Sequence, residues 1–223
     1  MMLDFGYYNI DCTEGMKQFP DKFFDLAIVD PPYGINSHKF GMGRGKGKTL
    51  KYVMKPFDTK IPCKKYFNQL FRISKNQIIW GGNYFTKNLR ASRCWIAWDK
   101  KQPEKMSFAK IELAWTSFDR VADIFHFMYC GAAGNDLKKY IRIHPTQKPV
   151  DLYRWLLQHY AKPGDKIIDT HVGSASSLIA FEWEGFFDYV GFELDQDYYH
   201  DAKNRLETWR ERHFGQYKLA LAV

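Results

Sequence analysis

Four consecutive residues, Asp30, Pro31, Pro32 and Tyr33, could hold a planar base that carries an exocyclic amino group. They follow the apolar run Phe24–Val29, so the sequence predicts a buried strand that ends in an acid, two prolines and an aromatic ring. The prolines fix φ and remove two backbone donors, which makes the turn stiff and leaves carbonyl oxygens as acceptors. The carboxylate adds an acceptor and the ring adds a stacking surface. A rigid turn without chemistry is the alternative, because Asp-Pro-Pro is also an ordinary turn pattern.

A second candidate site lies at Asp169–Ser177, which follows a predicted strand and leads into a helix beginning near Ser176. Small residues such as Gly173 and Ser174 let the backbone approach a ligand closely. Glu193 ends the next predicted strand, where its carboxylate could accept hydrogen bonds from both hydroxyls of a ribose. Taken alone, this pattern also fits any strand-turn-helix of an α/β protein.

The hydrophobic pattern supplies the elements that must position these residues. Apolar runs predict strands at Ile28–Val29, Gln77–Trp80, Trp95–Trp98, Ile124–Phe127, Lys166–Asp169 and Tyr189–Glu193. Apolar residues at helical spacing predict helices at Tyr66–Ile73, Leu152–Tyr160, Ser176–Trp183 and Tyr198–Trp209. Strands that alternate with helices predict an α/β fold with a mostly parallel central sheet. Ligands of such sheets bind at the carboxyl ends of the strands, where Asp30, Asp169 and Glu193 would all lie.

Composition limits the class of protein. The chain has 223 residues and 45% hydrophobic content, which predicts a single domain over residues 1–223. No apolar run is long enough to span a membrane, and no secretory signal is expected. The four cysteines are far apart and form no Cys-x-x-Cys pair, which predicts no metal site and fits free thiols in the cytoplasm.

The charge distribution favours a polyanionic partner. The 33 basic and 25 acidic residues leave a net charge of +8. A glycine-rich segment at about 34–60 predicts a long mobile loop that carries Lys39, Arg44, Lys46 and Lys48, and a second basic stretch begins at Lys100 and Lys101. Solvated surface loops are the alternative for both. Gly47-Lys48-Thr49 resembles the end of a phosphate-binding P-loop, but Met42 stands where that pattern needs glycine.

The turn Asp30–Tyr33, called the acceptor turn below, resembles the signature of the DNA amino-methyltransferases, which methylate N6 of adenine or N4 of cytosine. Three further elements of that family have counterparts at Asn9–Cys12 (G-D-C), His144–Pro149 (H-P-T-x-K-P) and Asp169–Ser177 (D-P-F-x-G-S-G-T-T). Asp169, Gly173 and Ser174 match the last pattern, whereas His171 replaces its aromatic residue. The acceptor turn precedes the segment Asp169–Ser177, called the cofactor loop below. This order is characteristic of the β class of DNA amino-methyltransferases.

The resemblance implies a Rossmann-like methyltransferase fold with S-adenosyl-L-methionine as cofactor. The residues it places in catalysis are Asp30, Pro31, Pro32 and Tyr33. The residues it places at the cofactor are Asp11, Cys12, Asp30, Thr146, Gln147, Lys148, Asp169, His171, Gly173, Ser174 and Glu193. Asp11 would accept from the adenine amine of the cofactor, while Thr146 and Lys148 would bind its carboxylate near a helix N-terminus.

The implied reaction is methylation of a base that has been flipped out of double-stranded DNA. Aspartate at position 30 favours adenine N6; cytosine N4 is the alternative, as is a relative that binds DNA but has lost catalysis. The Lys39, Arg44, Lys46, Lys48, Lys100 and Lys101 side chains would contact phosphates. A short segment at about 99–140 is the expected target-recognition region, in a monomer or a homodimer. A dehydrogenase is disfavoured because the chain lacks G-x-G-x-x-G.

Overall fold

The computed structural model describes residues 2–36, 58–104, 109–128 and 143–220. The strands are β1 (Gly6–Asn9), β2 (Phe24–Val29), β3 (Ser74–Trp80), β4 (Trp95–Asp99), β5 (Ile111–Thr116), β6 (Asp123–His126), β7 (Ile167–Asp169) and β8 (Tyr189–Glu193). The helices are α1 (Cys12–Met16), α2 (Lys64–Ile73), α3 (Val150–Tyr160), α4 (Ser176–Trp183) and α5 (Gln196–Ala220). A 3₁₀ turn covers Gly82–Tyr84.

One eight-stranded sheet joins all of these strands in the order β1-β8-β7-β2-β3-β5-β4-β6. Neighbouring strands run parallel except for β5, which is antiparallel to both β3 and β4. α2 connects the parallel neighbours β2 and β3, and α4 connects β7 and β8, as parallel pairing requires. The predicted α/β fold with a mostly parallel sheet is therefore confirmed.

The strand order brings the predicted acids into one row. β1, β8, β7 and β2 are adjacent and parallel, so their carboxyl ends meet at the same edge of the sheet. Asp11, Glu193, Asp169 and Asp30 end or directly follow these four strands, in that spatial order. β5 is reversed, so it is its first residues that lie at this edge.

Alternation along the central strands divides the core between the two faces of the sheet. Leu26 and Ile28 of β2 pack in a cluster with α3, α4 and α5, whereas Ala27 and Val29 pack with α1 and α2. Because successive strand residues point to opposite faces, one apolar run contributes to both layers. The strand is buried on both sides, and its end is held firmly at the site edge.

The sequence located most elements but missed three. β8 and α4 have the predicted bounds, β6 begins one residue earlier than predicted, and α5 extends well beyond Tyr198–Trp209. β1, α1 and β5 were not predicted. β5 and β6 both lie within the segment at 99–140, so part of this expected recognition region belongs to the central sheet.

The predicted mobile loop at about 34–60 lies mainly outside the described residues, but its two ends are joined. The Gly34 N–H donates to Asp58 Oδ1 at 2.7 Å and the Asn36 N–H donates to the Asp58 carbonyl at 2.8 Å. No helix of the described residues is both long and apolar enough to cross a bilayer. Cys12, Cys63 and Cys94 are free, and Cys130 lies outside the described ranges.

Candidate active site

The acceptor turn at the end of β2 presents its carboxylate held by two donors. The Tyr33 hydroxyl donates to Asp30 Oδ1 at 2.6 Å, and Lys148 Nζ donates to Asp30 Oδ2 at 2.6 Å. A carboxylate oxygen has two lone pairs, so each oxygen can still accept a second hydrogen bond. The turn therefore fixes the carboxylate and leaves it able to receive an amino group.

Lys148 lies two residues before α3, and its side chain is only 4% exposed. Its ammonium group is 2.6 Å from Asp30 Oδ2, 3.0 Å from Glu112 Oε2 and 3.2 Å from the Tyr33 hydroxyl. Burial opposes the charge, but the two carboxylates outweigh burial and raise the pKa of Lys148. The ammonium group thus contacts the acceptor turn and Glu112 of β5, and the expected contact of Lys148 with the cofactor carboxylate stays a prediction.

Glu112, near the start of β5, is a site residue that the sequence did not identify. Besides Lys148 it contacts Lys100 Nζ at 2.5 Å, and although burial opposes its charge, Lys148 and Lys100 lower the pKa of Glu112 to about 2. The only local signal was an acid at the start of a short apolar run. Lys100, Glu112, Lys148 and Asp30 form a chain of alternating charges. Burial, together with the Glu112 charge, raises the pKa of Asp30 despite its contact with Lys148.

A hydrogen-bonded row of side chains holds the His171 ring beside the cofactor loop. The Tyr66 hydroxyl and Thr170 Oγ1 are 2.7 Å apart, Thr170 Oγ1 is 2.9 Å from His171 Nδ1, and His171 Nε2 is 3.9 Å from Cys12 Sγ. The Tyr66 ring also meets the imidazole edge-on at 5.3 Å. Burial lowers the pKa of His171 to about 4, so the ring is neutral at pH 7. Position 171 therefore keeps an uncharged ring where the family pattern has an aromatic residue.

Asp169, which ends β7, fixes the loop from within. Its Oδ1 accepts from the His171 N–H at 2.9 Å and its Oδ2 accepts from the Ser177 hydroxyl at 2.5 Å. Burial raises the pKa of Asp169 to about 7, although both hydrogen bonds act in the opposite direction. Its role in the structure is to tie β7 to the first turn of α4.

The loop between β7 and α4 adopts left-handed backbone at two positions. Gly173 has φ of 56° and Ala175 has φ of 61°. Ala175 stands where the family pattern has a second glycine, and an alanine pays roughly 1–2 kcal/mol for this conformation. The Ser174 carbonyl and Ser176 hydroxyl are held by Arg205 Nη1 at 2.5 and 2.9 Å. The chain thus keeps the loop's shape with a different sequence.

The acceptors at the ends of β8 and β1 suit an adenosine group. Glu193 Oε2 accepts from the Gly173 N–H at 2.9 Å and Oε1 accepts from the Asp195 N–H at 3.0 Å, which leaves a lone pair on each oxygen for ribose hydroxyls. Asp11 caps α1 through Oδ1 alone, at 2.7 Å from the Thr13 N–H. These carboxylates and the His171 ring fit the adenosine end of S-adenosylmethionine.

The H-P-T-Q-K-P element forms a tight turn that enters α3. Thr146 Oγ1 is 3.2 Å from His144 Nδ1, and Gln147 Oε1 accepts from the Ile143 N–H at 3.0 Å. The His144 ring packs edge-on against Tyr198 at 4.4 Å. Thr146 and Gln147 therefore shape the turn that carries Lys148 into the site, and a direct contact of either with a cofactor stays a prediction.

The predicted DNA-binding residues divide into two groups. Lys39, Arg44, Lys46 and Lys48 lie outside the described residues. Lys100 is only 15% exposed, and its Nζ lies over the Trp98 ring at 5.0 Å as well as against Glu112. Lys101 is half-exposed with its Nζ 3.7 Å from Asp99 Oδ2. Lys100 belongs to the charged chain of the site rather than to an open basic surface.

The structure is an α/β sheet with four acidic residues at the carboxyl ends of adjacent parallel strands, where the sequence predicted a methyltransferase site. The family model for N6/N4 DNA methylases matches residues 70–204, more than half of the chain, so the chain belongs to this family of DNA amino-methyltransferases. The matched range begins after the acceptor turn, so the role of Asp30–Tyr33 stays a prediction.

Relatives of similar length share most of the chain. The YubD protein of Escherichia coli (strain K12) is 25% identical over 210 residues, which span 88% of this chain and 87% of YubD. The Type II methyltransferase M.HpaI of Haemophilus parainfluenzae is 22% identical, over 89% of this chain and 73% of its own.

Two solved structures share the fold. The M1.HpyAVI–SAM complex has a TM-score of 0.56 at 16% identity and covers 90% of this chain and 98% of its own. The cytosine-N4-specific PvuII DNA methyltransferase has a TM-score of 0.57 at 13% identity, and the match covers 95% of this chain and 93% of the PvuII chain. At these identities the likeness supports the fold alone.

Removing the Glu112 charge should destabilise the protein, because Lys100 would lose its carboxylate partner and Lys148 would keep only Asp30. We expect Glu112→Gln to lower the free energy of unfolding by about 3 kcal/mol, measured by urea denaturation at pH 7. The control is Glu14→Gln, which breaks an exposed pair with Lys17 and should cost less than about 1 kcal/mol. Equal losses in the two variants would show that the charged chain does not stabilise the fold.

His171 should make the protein less stable in acid. The unfolded chain binds a proton at this residue below pH 6.5, whereas the folded protein does so only near pH 4, so stability is lost as the pH falls through this window. His171→Phe removes that loss. The free energy of unfolding of the variant minus that of the original protein should be about 2 kcal/mol larger at pH 5 than at pH 8. An identical difference at both pH values would contradict the neutral, buried ring.

Proposed function

We propose that this protein transfers a methyl group from S-adenosylmethionine to N6 of an adenine flipped out of double-stranded DNA. The observation that carries the proposal is the Asp30 carboxylate, held by Tyr33 and Lys148 at one end of a row of acids that suits an adenosine group. Membership of the DNA methylase family supports DNA as the substrate, and the net charge of +8 favours a polyanion.

The proposed task of Asp30 is to make the amine nucleophilic. An exocyclic amine is a poor nucleophile because its lone pair is delocalised into the ring of the base. Asp30 and the Pro31 carbonyl would accept its two N–H groups, which draws the nitrogen toward a pyramidal geometry. The cofactor, when bound, supplies an activated methyl group on its sulfonium. Catalysis then depends mainly on alignment and electrostatic stabilisation.

Lys148 and Tyr33 act on the carboxylate in this proposal. By donating to separate oxygens they hold the Asp30 plane fixed, so the incoming amine uses the lone pairs that remain. After transfer the nitrogen carries a surplus proton. The raised pKa of Asp30 favours uptake of this proton at a carboxylate oxygen, from which it can pass to solvent.

Adenine is preferred over cytosine because aspartate stands at position 30, where the cytosine enzymes of the family more often have serine. Cytosine N4 remains the second candidate, since it presents the same amine to the same acceptors and an N4-specific enzyme shares the fold. Asp11, His171 and Glu193 are proposed to hold the cofactor's adenosine. The chain has these three residues as well as Asp30, which argues against the alternative that it binds DNA but has lost catalysis.

The decisive experiment follows radiolabelled methyl from S-adenosylmethionine into unmethylated duplex DNA and identifies the product by nucleoside analysis. We expect N6-methyladenine, and a rate at least about 10²-fold lower with Asp30→Asn, because the amide offers one acceptor oxygen in place of two. Asp119→Asn, a change at an exposed carboxylate, is the control.

Each result has a defined meaning. N4-methylcytosine would keep the mechanism and overturn the choice of base. No transfer by the unaltered protein, although S-adenosylmethionine still raises its melting temperature, would favour the non-catalytic relative. Full activity in Asp30→Asn would refute the assignment of the acceptor turn.

A further inference from the structure

The Tyr33 ring has a second aromatic ring stacked on it. Tyr84 lies 5.0 Å from Tyr33 between ring centroids, with only 15° between the ring planes. The Tyr33 hydroxyl is fixed on Asp30 at the same time. One face of Tyr33 is therefore covered by protein, and Tyr84 continues the stack outward. Tyr84 is 44% exposed, so the stack ends in an aromatic ring that a ligand can contact.

The turn that carries Tyr84 is built around Tyr33. A Cβ on Gly81 would lie 2.2 Å from the Tyr33 ring, and Gly81 has φ of 71°, so only glycine fits here. A Cβ on Gly82 would lie 2.5 Å from Trp115. Buried Phe85 anchors the far side of the turn and meets the Tyr33 ring edge-on at 6.1 Å. An exposed ring on so constrained a turn is held in position before any ligand arrives.

The segment that carries Tyr84 is basic in sequence. From Thr59 to Trp98 it contains eight Lys and Arg residues and no Asp or Glu, and three of the eight (Arg72, Lys75 and Arg93) are paired with aspartates from other segments. Lys87 and Arg90 follow Tyr84 on the same segment and are exposed, as is Asn83. The Trp115 indole donates to the Arg90 carbonyl at 2.9 Å, which fixes the end of the segment. Exposed aromatic, amide and cationic groups together are the combination that binds unpaired nucleic acid.

A second basic segment reaches the acceptor turn next to Gly34. Lys60 and Ile61 contact Gly34, within 3.4 Å of the position its Cβ would take, and Lys64 and Lys65 follow at the start of α2. Lys60, Lys64 and Lys65 are all exposed. Two cationic segments thus contact the acceptor turn or its end, and the one at 81–90 carries the exposed ring of Tyr84.

We propose that Tyr84 stacks on a nucleobase of the DNA strand that enters the acceptor site, and that Lys87 and Arg90 bind the phosphates beside it. The inference deepens the proposed function, on which it rests for the identity of the substrate. Stacking on Tyr84 is independent of sequence, because every base has a π-face, and it stabilises a base only once that base has left the duplex.

The test compares Tyr84→Phe, which keeps the ring, with Tyr84→Leu, which keeps apolar contact with Tyr33 but has no ring face. Binding is measured by fluorescence anisotropy on a labelled duplex that contains one unpaired adenine. Tyr84→Phe should bind within about twofold of the unaltered protein, and Tyr84→Leu should bind about tenfold or more weakly. Phe187→Leu is the control, since Phe187 is 59% exposed and precedes β8, at the amino ends of the parallel strands and away from the site.

The phosphate contacts have their own readout. Lys87→Gln and Arg90→Gln should each reduce the slope of log affinity against log salt by about one, as loss of one phosphate contact predicts. Lys162→Gln, which changes an exposed lysine at the opposite edge, should leave the slope unchanged. Unchanged slopes for Lys87→Gln and Arg90→Gln would remove both residues from the interface.

Two results would overturn the stacking role: Tyr84→Leu binding as tightly as the unaltered protein, or Tyr84→Phe losing as much affinity as Tyr84→Leu. Each variant should keep the rise in melting temperature that S-adenosylmethionine produces, which shows that the fold and the cofactor site are intact. Binding requires no methyl transfer. A protein that binds DNA through Tyr84 without methylating it would refute the proposed function and leave this inference standing.

Discussion

The ammonium group of Lys148 is the contact on which the site depends. It is almost fully buried and lies within hydrogen-bonding distance of three oxygens, on Asp30, Glu112 and Tyr33. A buried charge is tolerated only when it is paired and hydrogen-bonded. Here the pairing links the segment before α3 to the end of β2 and to the start of β5. One side chain thus joins three distant parts of the sequence and sets where the Asp30 carboxylate points.

The strand directions make this contact possible. In a sheet of parallel strands, residues that follow strand ends gather at one edge, which brings Asp30 and Lys100 there from β2 and β4. Glu112 would be at the other edge if β5 ran in the same direction. Because β5 is antiparallel to both neighbours, its first residues lie at the edge that carries the site, which places Glu112 between Lys100 and Lys148. The reversed strand is therefore part of the site.

The sequence predicted those features that are encoded locally. An apolar run followed by an acid identified Asp30, Asp169 and Glu193 as strand ends, and the sheet places all three at one edge. Glu112 and Tyr84 escaped prediction, because their positions depend on how β5 pairs with β3 and on how a turn packs against Tyr33. The contact of His171 with Cys12 joins residues far apart in the chain. Spacing within a motif carries no information about such contacts.

Tyr33 shows why the acceptor turn is rigid before substrate binds. Its hydroxyl is bonded to Asp30, its ring is stacked on Tyr84, and Gly81 leaves the space in which the ring lies. The two prolines restrict the backbone between the carboxylate and the ring. In the proposed reaction this turn needs little reorganisation, which is the condition under which fixed dipoles lower a barrier most effectively. Tyr33 and Lys148 donate to different oxygens of Asp30, so in the proposed reaction an amine can use the remaining lone pairs without displacing either donor.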